Sequence, residues 1–132
     1  MSLELEMYEK FKFYEIDPEK KIIDKLRKIL ERSRGVLLAA IYGSFLKDYS
    51  FRDIDIALYT DPSVDPLNYK LVLEKELSEK IGYPVDVKIL NHAPAWFTLE
   101  AFESGRILVD KLEIAEKIYK RALDEATSLK QT

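Results

Sequence analysis

Apolar residues recur along the chain in two rhythms, and their alternation outlines the elements. After Asp17-Pro18, which reads as an N-cap followed by proline at the first helical position, Ile22, Ile23, Leu26, Ile29 and Leu30 fall at helical spacing up to a stop at Gly35. Val36 to Tyr42 is an unbroken apolar run, the pattern of a strand buried on both faces. It ends at Gly43-Ser44, where Ser44 would cap a short helix through Phe45 and Leu46. From 53 to 60 the period is two: Ile54, Ile56 and Leu58 point one way, and Asp53, Asp55 and Ala57 the other. Asp61-Pro62 breaks that strand, and Asp65-Pro66 opens a helix whose stripe is Leu73, Leu77 and Ile81, ending at Gly82. Val85 to Leu90 reads as a further strand, with Val85, Val87 and Ile89 on one face and Asp86 on the other. Ala95 to Glu103 is a short helix ending at Gly105, and Arg106 to Val109 adds an edge strand. Asp110-x-x-Glu113 resembles a capping box for a last helix that turns Leu112, Ala115, Ile118, Tyr119, Ala122 and Leu123 inward.

The resulting order predicts an α+β fold close to α/β, a small mixed β-sheet covered by helices. The chain has 132 residues and shows no repeat, linker or low-complexity segment. One domain spanning 1–132 is expected, with a core over about 17–110 and a C-terminal helix over about 111–128.

Composition narrows the chemistry by exclusion. The absence of cysteine removes disulfide scaffolds, thiol catalysis and zinc–thiolate sites, and a single histidine, His92, removes centres built on several imidazoles. Lys and Arg total 21 against 24 Asp and Glu, for a net charge of -3, which speaks against sequence-independent coating of nucleic acid. The basic side of the first helix (Lys20, Lys21, Lys25, Arg27, Lys28, Arg32) is interleaved with Asp24 and Glu31 and reads as a solvated face. The acidic start MSLELEMYEK is not a signal peptide, and no apolar run approaches the ~20 residues of a membrane span, so a cytoplasmic protein is expected. Abundant Glu and Lys with scarce Gln and Asn are compatible with a thermophilic source. His92, before Ala93-Pro94, reads as a loop residue, and Trp96 and Phe97 as core or interface anchors.

What remains is carboxylate chemistry. Asp53 and Asp55, two apart on one strand, project from one face. Two carboxylates ~5 Å apart repel by about 3 kcal/mol at an effective dielectric near 20, so such a pair invites a cation. Asp86 sits mid-strand on the face opposite its valines, and if the two strands are neighbours all three carboxylates converge. Three hard oxygen donors suit Mg²⁺ or Mn²⁺, although a D-x-D pair taken alone is more often strand-end polarity. Gly43-Ser44 stands where a buried strand hands over to a helix, a place that favours phosphate through backbone N–H groups and the helix dipole.

Taken together, Y-G-S, then F-R-D-I-D-I-A-L, then V-D-V resemble the nucleotidyltransferases of the DNA polymerase β superfamily, in particular the minimal nucleotidyltransferases that partner HEPN proteins as antitoxins. The resemblance runs from about Val36 to Val109. It implies that Gly43 and Ser44 bind the nucleotide triphosphate. It also implies that Asp53, Asp55 and Asp86 are catalytic and bind two Mg²⁺ ions (or Mn²⁺), with Asp86 as candidate general base. Two departures stand out: Asp48 occupies the place of a second glycine, and Arg52 the place of a serine before D-x-D. The activity implied is an Mg²⁺-dependent adenylyltransferase that moves AMP from ATP to a hydroxyl of a HEPN-type toxin. The rival readings are a non-catalytic module that neutralises its partner stoichiometrically, and a small-molecule nucleotidyltransferase that works as a homo-oligomer, a dimer sharing its cleft. No membrane contact and no direct nucleic-acid binding are expected.

Overall fold

A computed structural model describes residues 20–43 and 53–131. The elements are α1 (residues 20–32), β1 (Val36–Tyr42), β2 (Ile54–Thr60), α2 (Pro66–Ile81), β3 (Val85–Ile89), α3 (Ala95–Ser104), β4 (Arg106–Asp110) and α4 (Ala115–Gln131). The expected cap at Asp17-Pro18 and the short helix after Ser44 lie outside the described residues. The sheet order is β3-β2-β1-β4, with β1 antiparallel to both β2 and β4, and β2 parallel to β3. The sheet is therefore mixed, as the pattern predicts, and α2 is the crossover that a parallel pair requires.

The two-residue period sorts side chains onto two helical layers. On one face Ile54, Ile56 and Leu58 of β2 join Val85 and Val87 of β3 and Ile41 of β1, beneath Leu26 and Leu30 of α1 and Leu73 and Leu77 of α2. On the other, Leu38, Ala40 and Ala57 meet Ala101 of α3, with Tyr42, Phe97, Phe102 and Ile118 packed around them. β1 is buried from both sides because it is central, which explains why its sequence does not alternate. α2 begins with proline at its first turn and stops at Gly82, whose φ of 86° lies in the left-handed region and whose N–H donates to the Ser78 carbonyl at 2.9 Å. The Asp65 side chain makes no capping bond.

Both sheet edges are covered by helical side chains. Along β3, the N–H of Val85 donates to Ser78 Oγ at 2.9 Å and that of Val87 to Glu74 Oε2 at 2.8 Å. At β4, Arg27 Nε donates to the Leu108 carbonyl at 3.3 Å. Unpaired strand edges template aggregation, and these contacts blunt them.

The last helix departs from the expected capping box. Asp110 accepts from the N–H groups of Ile114 and Ala115 at 2.8 and 3.1 Å, while Glu113 takes φ 55° and lies in the turn, so α4 opens at Ala115 and not near 111. One carboxylate already satisfies two orphan donors, leaving Glu113 nothing to cap. Leu112, expected inward, is 61% exposed in that turn, and Leu123 is only partly covered, whereas Ala115, Ile118 and Ala122 face the core. Tyr119 stacks on Phe102 at 6.2 Å and donates to Glu103 at 2.7 Å. Trp96 is 66% exposed and so is no core anchor; Phe97 is packed. No described helix is long and apolar enough to cross a membrane.

Gly105 closes α3 against β1: a Cβ there would lie 2.7 Å from the Ile41 carbonyl oxygen and strike that of Ala101 as well. Neither backbone atom can move aside cheaply. Gly105→Ala is expected to cost about 1–3 kcal/mol, read as a lowered urea midpoint with unchanged slope.

Candidate functional site

The parallel pairing of β2 and β3 sets Asp55 directly opposite Asp86 in register. Ile54, Ile56, Val85 and Val87 are all drawn into the core on one face, so both carboxylates must stand on the other, side by side. Asp53, just before β2, is exposed and close enough to act on Asp55 electrostatically. The structure thus brings Asp55 and Asp86 together at the start of two neighbouring strands, with Asp53 just outside the pair. Among the described residues, no three acidic or imidazole side chains stand in metal-holding geometry.

The charge is poorly balanced. Burial, followed by the carboxylates of Asp86 and Asp53, raises the Asp55 pKa above its ordinary value, and Lys88 opposes this only in part. Lys88 Nζ lies 3.7 Å from Asp86 Oδ2 but is more than half exposed, so it screens weakly. Gly43 leaves β1 with φ 84°, and a Cβ there would lie 2.6 Å from Asp55 Oδ2. Only glycine both adopts this turn and lets the backbone come against the carboxylate. Ser44, expected to bind phosphate beside it, lies outside the described residues, as do Asp48 and Arg52.

Three neighbours were given no role in the sequence reading, although Tyr42 opens the Y-G-S motif. Tyr42 pairs with Asp55 across β1 and β2 and meets Phe97 edge-on at 5.5 Å. Burial, then the charges of Asp55, Asp86 and Glu100, push its phenol well above the ordinary tyrosine range, so it remains a protonated donor. Glu74 of α2 accepts from Lys70 Nζ at 2.9 Å as well as from Val87, and lies within hydrogen-bonding reach of Asp86. Burial alone would raise its pKa, but these bonds outweigh burial and hold it below the usual range. Its position beside Leu73 and Leu77, with Lys70 one turn earlier, was the available signal. Lys88 is the third. His92 lies beyond the far end of β3, beside a cavity of about 480 Å³ that Tyr59, Asn91 and Arg121 also line. Asn91 is committed there to both the N–H and the carbonyl of Thr60.

Hard oxygen donors on Asp55 and Asp86, set side by side with Asp53 nearby and little compensating charge, fit Mg²⁺ or Mn²⁺.

The family described as polymerase beta, nucleotidyltransferase matches residues 24–114 of the chain. Among solved structures, the fold is similar to that of a chain in the complex of tri-AMPylated Shewanella oneidensis HEPN toxin with MNT antitoxin. The match is at 19% identity, covering 86% of this chain and 90% of that one, with a TM-score of 0.68. A structure of a toxin–antitoxin with AMP-PNP matches at 23% identity over 86% and 90% of the two chains, with a TM-score of 0.66. The toxin–antitoxin MntA–HepT matches at 21% identity over 86% and 88%, with a TM-score of 0.63. At these identities the likeness is one of fold. No curated protein sequence matches the chain.

The raised Asp55 pKa has a definite sign. A carboxyl that binds its proton more tightly when folded weakens the fold as pH rises through the interval from its unfolded to its folded pKa. With divalent ions chelated, Asp55→Asn is expected to melt higher than the native chain at pH 7. The gap should close as pH falls below the ordinary aspartate range, as followed by circular dichroism.

Proposed function

The chain belongs to the polymerase beta nucleotidyltransferase family, and on that footing we propose that it transfers AMP from ATP to a hydroxyl of a HEPN-type partner protein, acting as its antitoxin. The observation that carries this reading is the in-register pairing of Asp55 with Asp86, with Asp53 beside them and the Gly43 turn pressed against Asp55. The similar folds seen with an AMPylated HEPN toxin and with AMP-PNP support the choice of nucleotide and partner.

Gly43 and Ser44 bind the triphosphate, glycine by offering its backbone without a side chain in the way and serine by its hydroxyl. Asp53, Asp55 and Asp86 would hold the Mg²⁺ ions, Asp86 on the side of the acceptor hydroxyl. Mg²⁺ held by these carboxylates would supply neutralisation of the charge on the triphosphate and the departing pyrophosphate, and a lowered pKa for the acceptor hydroxyl. The acceptor oxygen attacks the α-phosphorus, the bond to pyrophosphate breaks, and Asp86 takes the hydroxyl proton. Tyr42, protonated and wedged against Phe97, backs the carboxylates and limits water on their inner side. The strand ends carrying Asp53, Asp55 and Asp86 are only partly covered, which leaves room for a hydroxyl presented by another macromolecule.

The test is transfer of label from α-labelled ATP to a HEPN-type partner in Mg²⁺. The native chain is expected to label its partner, Asp86→Asn to be slower by about 100-fold or more, and chelation to abolish transfer. Tight binding of the partner by native chain and Asp53→Asn alike, with no label moved by either, would establish stoichiometric neutralisation instead.

A further inference from the structure

We infer that Glu74, assisted by Ser78, is a positioning residue that holds Asp86 in register with Asp55 for the reaction proposed above, and the inference rests on that reading. Among the described residues β3 is an edge strand, paired on one side only, so on its outer side no described strand fixes the peptide planes around Asp86. α2 does so with two side chains. Ser78 Oγ accepts from the N–H of Val85 at 2.9 Å, and Glu74 Oε2 from that of Val87 at 2.8 Å. The two acceptors are four residues apart on the helix, about 6 Å along its axis. The two donors are two residues apart on the strand, about 6.6 Å. These repeats match, so one helical turn grips β3 on either side of Asp86.

The Val87 N–H belongs to the peptide that follows Asp86, so its bond to Glu74 sets the direction in which the Asp86 side chain leaves the strand. Lys70 Nζ, 2.9 Å from the same Oε2, fixes the Glu74 side chain in turn, and both partners are three-quarters or more buried. An acceptor engaged by two donors in a largely buried setting is pre-organised and not free to act as a ligand itself. Supporting residues of this kind commonly change metal affinity or rate by ~10- to 100-fold when removed.

The test compares Glu74→Ala and Glu74→Gln in the full chain, each first shown by thermal unfolding to be folded. Glu74→Ala is expected to lower kcat for partner labelling by ~10- to 100-fold with KM for ATP little changed. Glu74→Gln, which keeps an acceptor oxygen for Val87, should recover most of the rate. In an Asp86→Asn background, Glu74→Ala should add little further loss, because both act through one group. Amide exchange should quicken at Val87 in the alanine variant and not in the glutamine variant. An unchanged kcat in Glu74→Ala, or a loss that adds in full to that of Asp86→Asn, would reduce Glu74 to protection of the sheet edge and overturn the inference. A native chain that moves no label defeats the proposed reaction instead. The inference is then decided by Mn²⁺ broadening of the amide signals of residues 85–88, weaker in Glu74→Ala if the clamp holds and equal to native if it does not.

Discussion

The parallel pairing of β2 with β3 sets two negative charges next to each other, and it is maintained by what happens on the opposite face of the same strands. Ile54, Ile56 and Leu58 beside Val85 and Val87 form the middle of the larger core layer. Slipping one strand by a single residue would turn its entire apolar set to the wrong side. At about 1.5–3 kcal/mol for each fully buried aliphatic side chain, that loss exceeds the few kcal/mol by which adjacent carboxylates repel. Hydrophobic burial therefore dictates the register, and the register dictates the site.

Everything near the site is arranged around the resulting strain in charge. The raised proton affinity of Asp55, the bare turn at Gly43 and the protonated Tyr42 each follow from placing carboxylates where burial has removed part of their solvent. A site of this kind is less stable alone than with positive charge in it, and folded proteins have little stability to spare. The investment is intelligible if the site's purpose is to gather cations and phosphates, since the tendency that weakens the empty fold strengthens the loaded one.

Periodicity revealed the two faces of β2 and β3, and hence that Asp53, Asp55 and Asp86 lie opposite the apolar residues, because a half-buried strand writes its orientation directly into the sequence. It could not reveal that these two strands are neighbours, which is decided by the crossover through α2 and by the central position of β1. The motif as a whole supplied that adjacency by resemblance. Tyr42 was hidden inside an apolar run, where an aromatic reads simply as core, and Glu74 inside a helix rich in charge, where an ion pair with Lys70 reads as surface. The last helix misled for a local reason. Asp110 and Glu113 have the residue types of a capping box, but Asp110 alone satisfies both available N–H groups and the chain turns through Glu113 before helix begins. The exposure of Leu112 and Trp96 is a matter of which layer ends where, which spacing does not encode.

α3 begins shortly after one edge strand, β3, and ends directly at the other, β4, so it must cross the whole breadth of the sheet. Three inter-strand gaps of about 4.8 Å make a width near 14 Å, and ten helical residues at 1.5 Å make about 15 Å. The helix is thus a strut cut to the span it bridges, locked at its far end by Gly105. Its length is a dimension of the fold: one added turn would overshoot the sheet by more than a strand's breadth. Insertions that drift into relatives of this chain should collect in the connections at 61–65 and 111–114, while the ten residues of the strut keep their number.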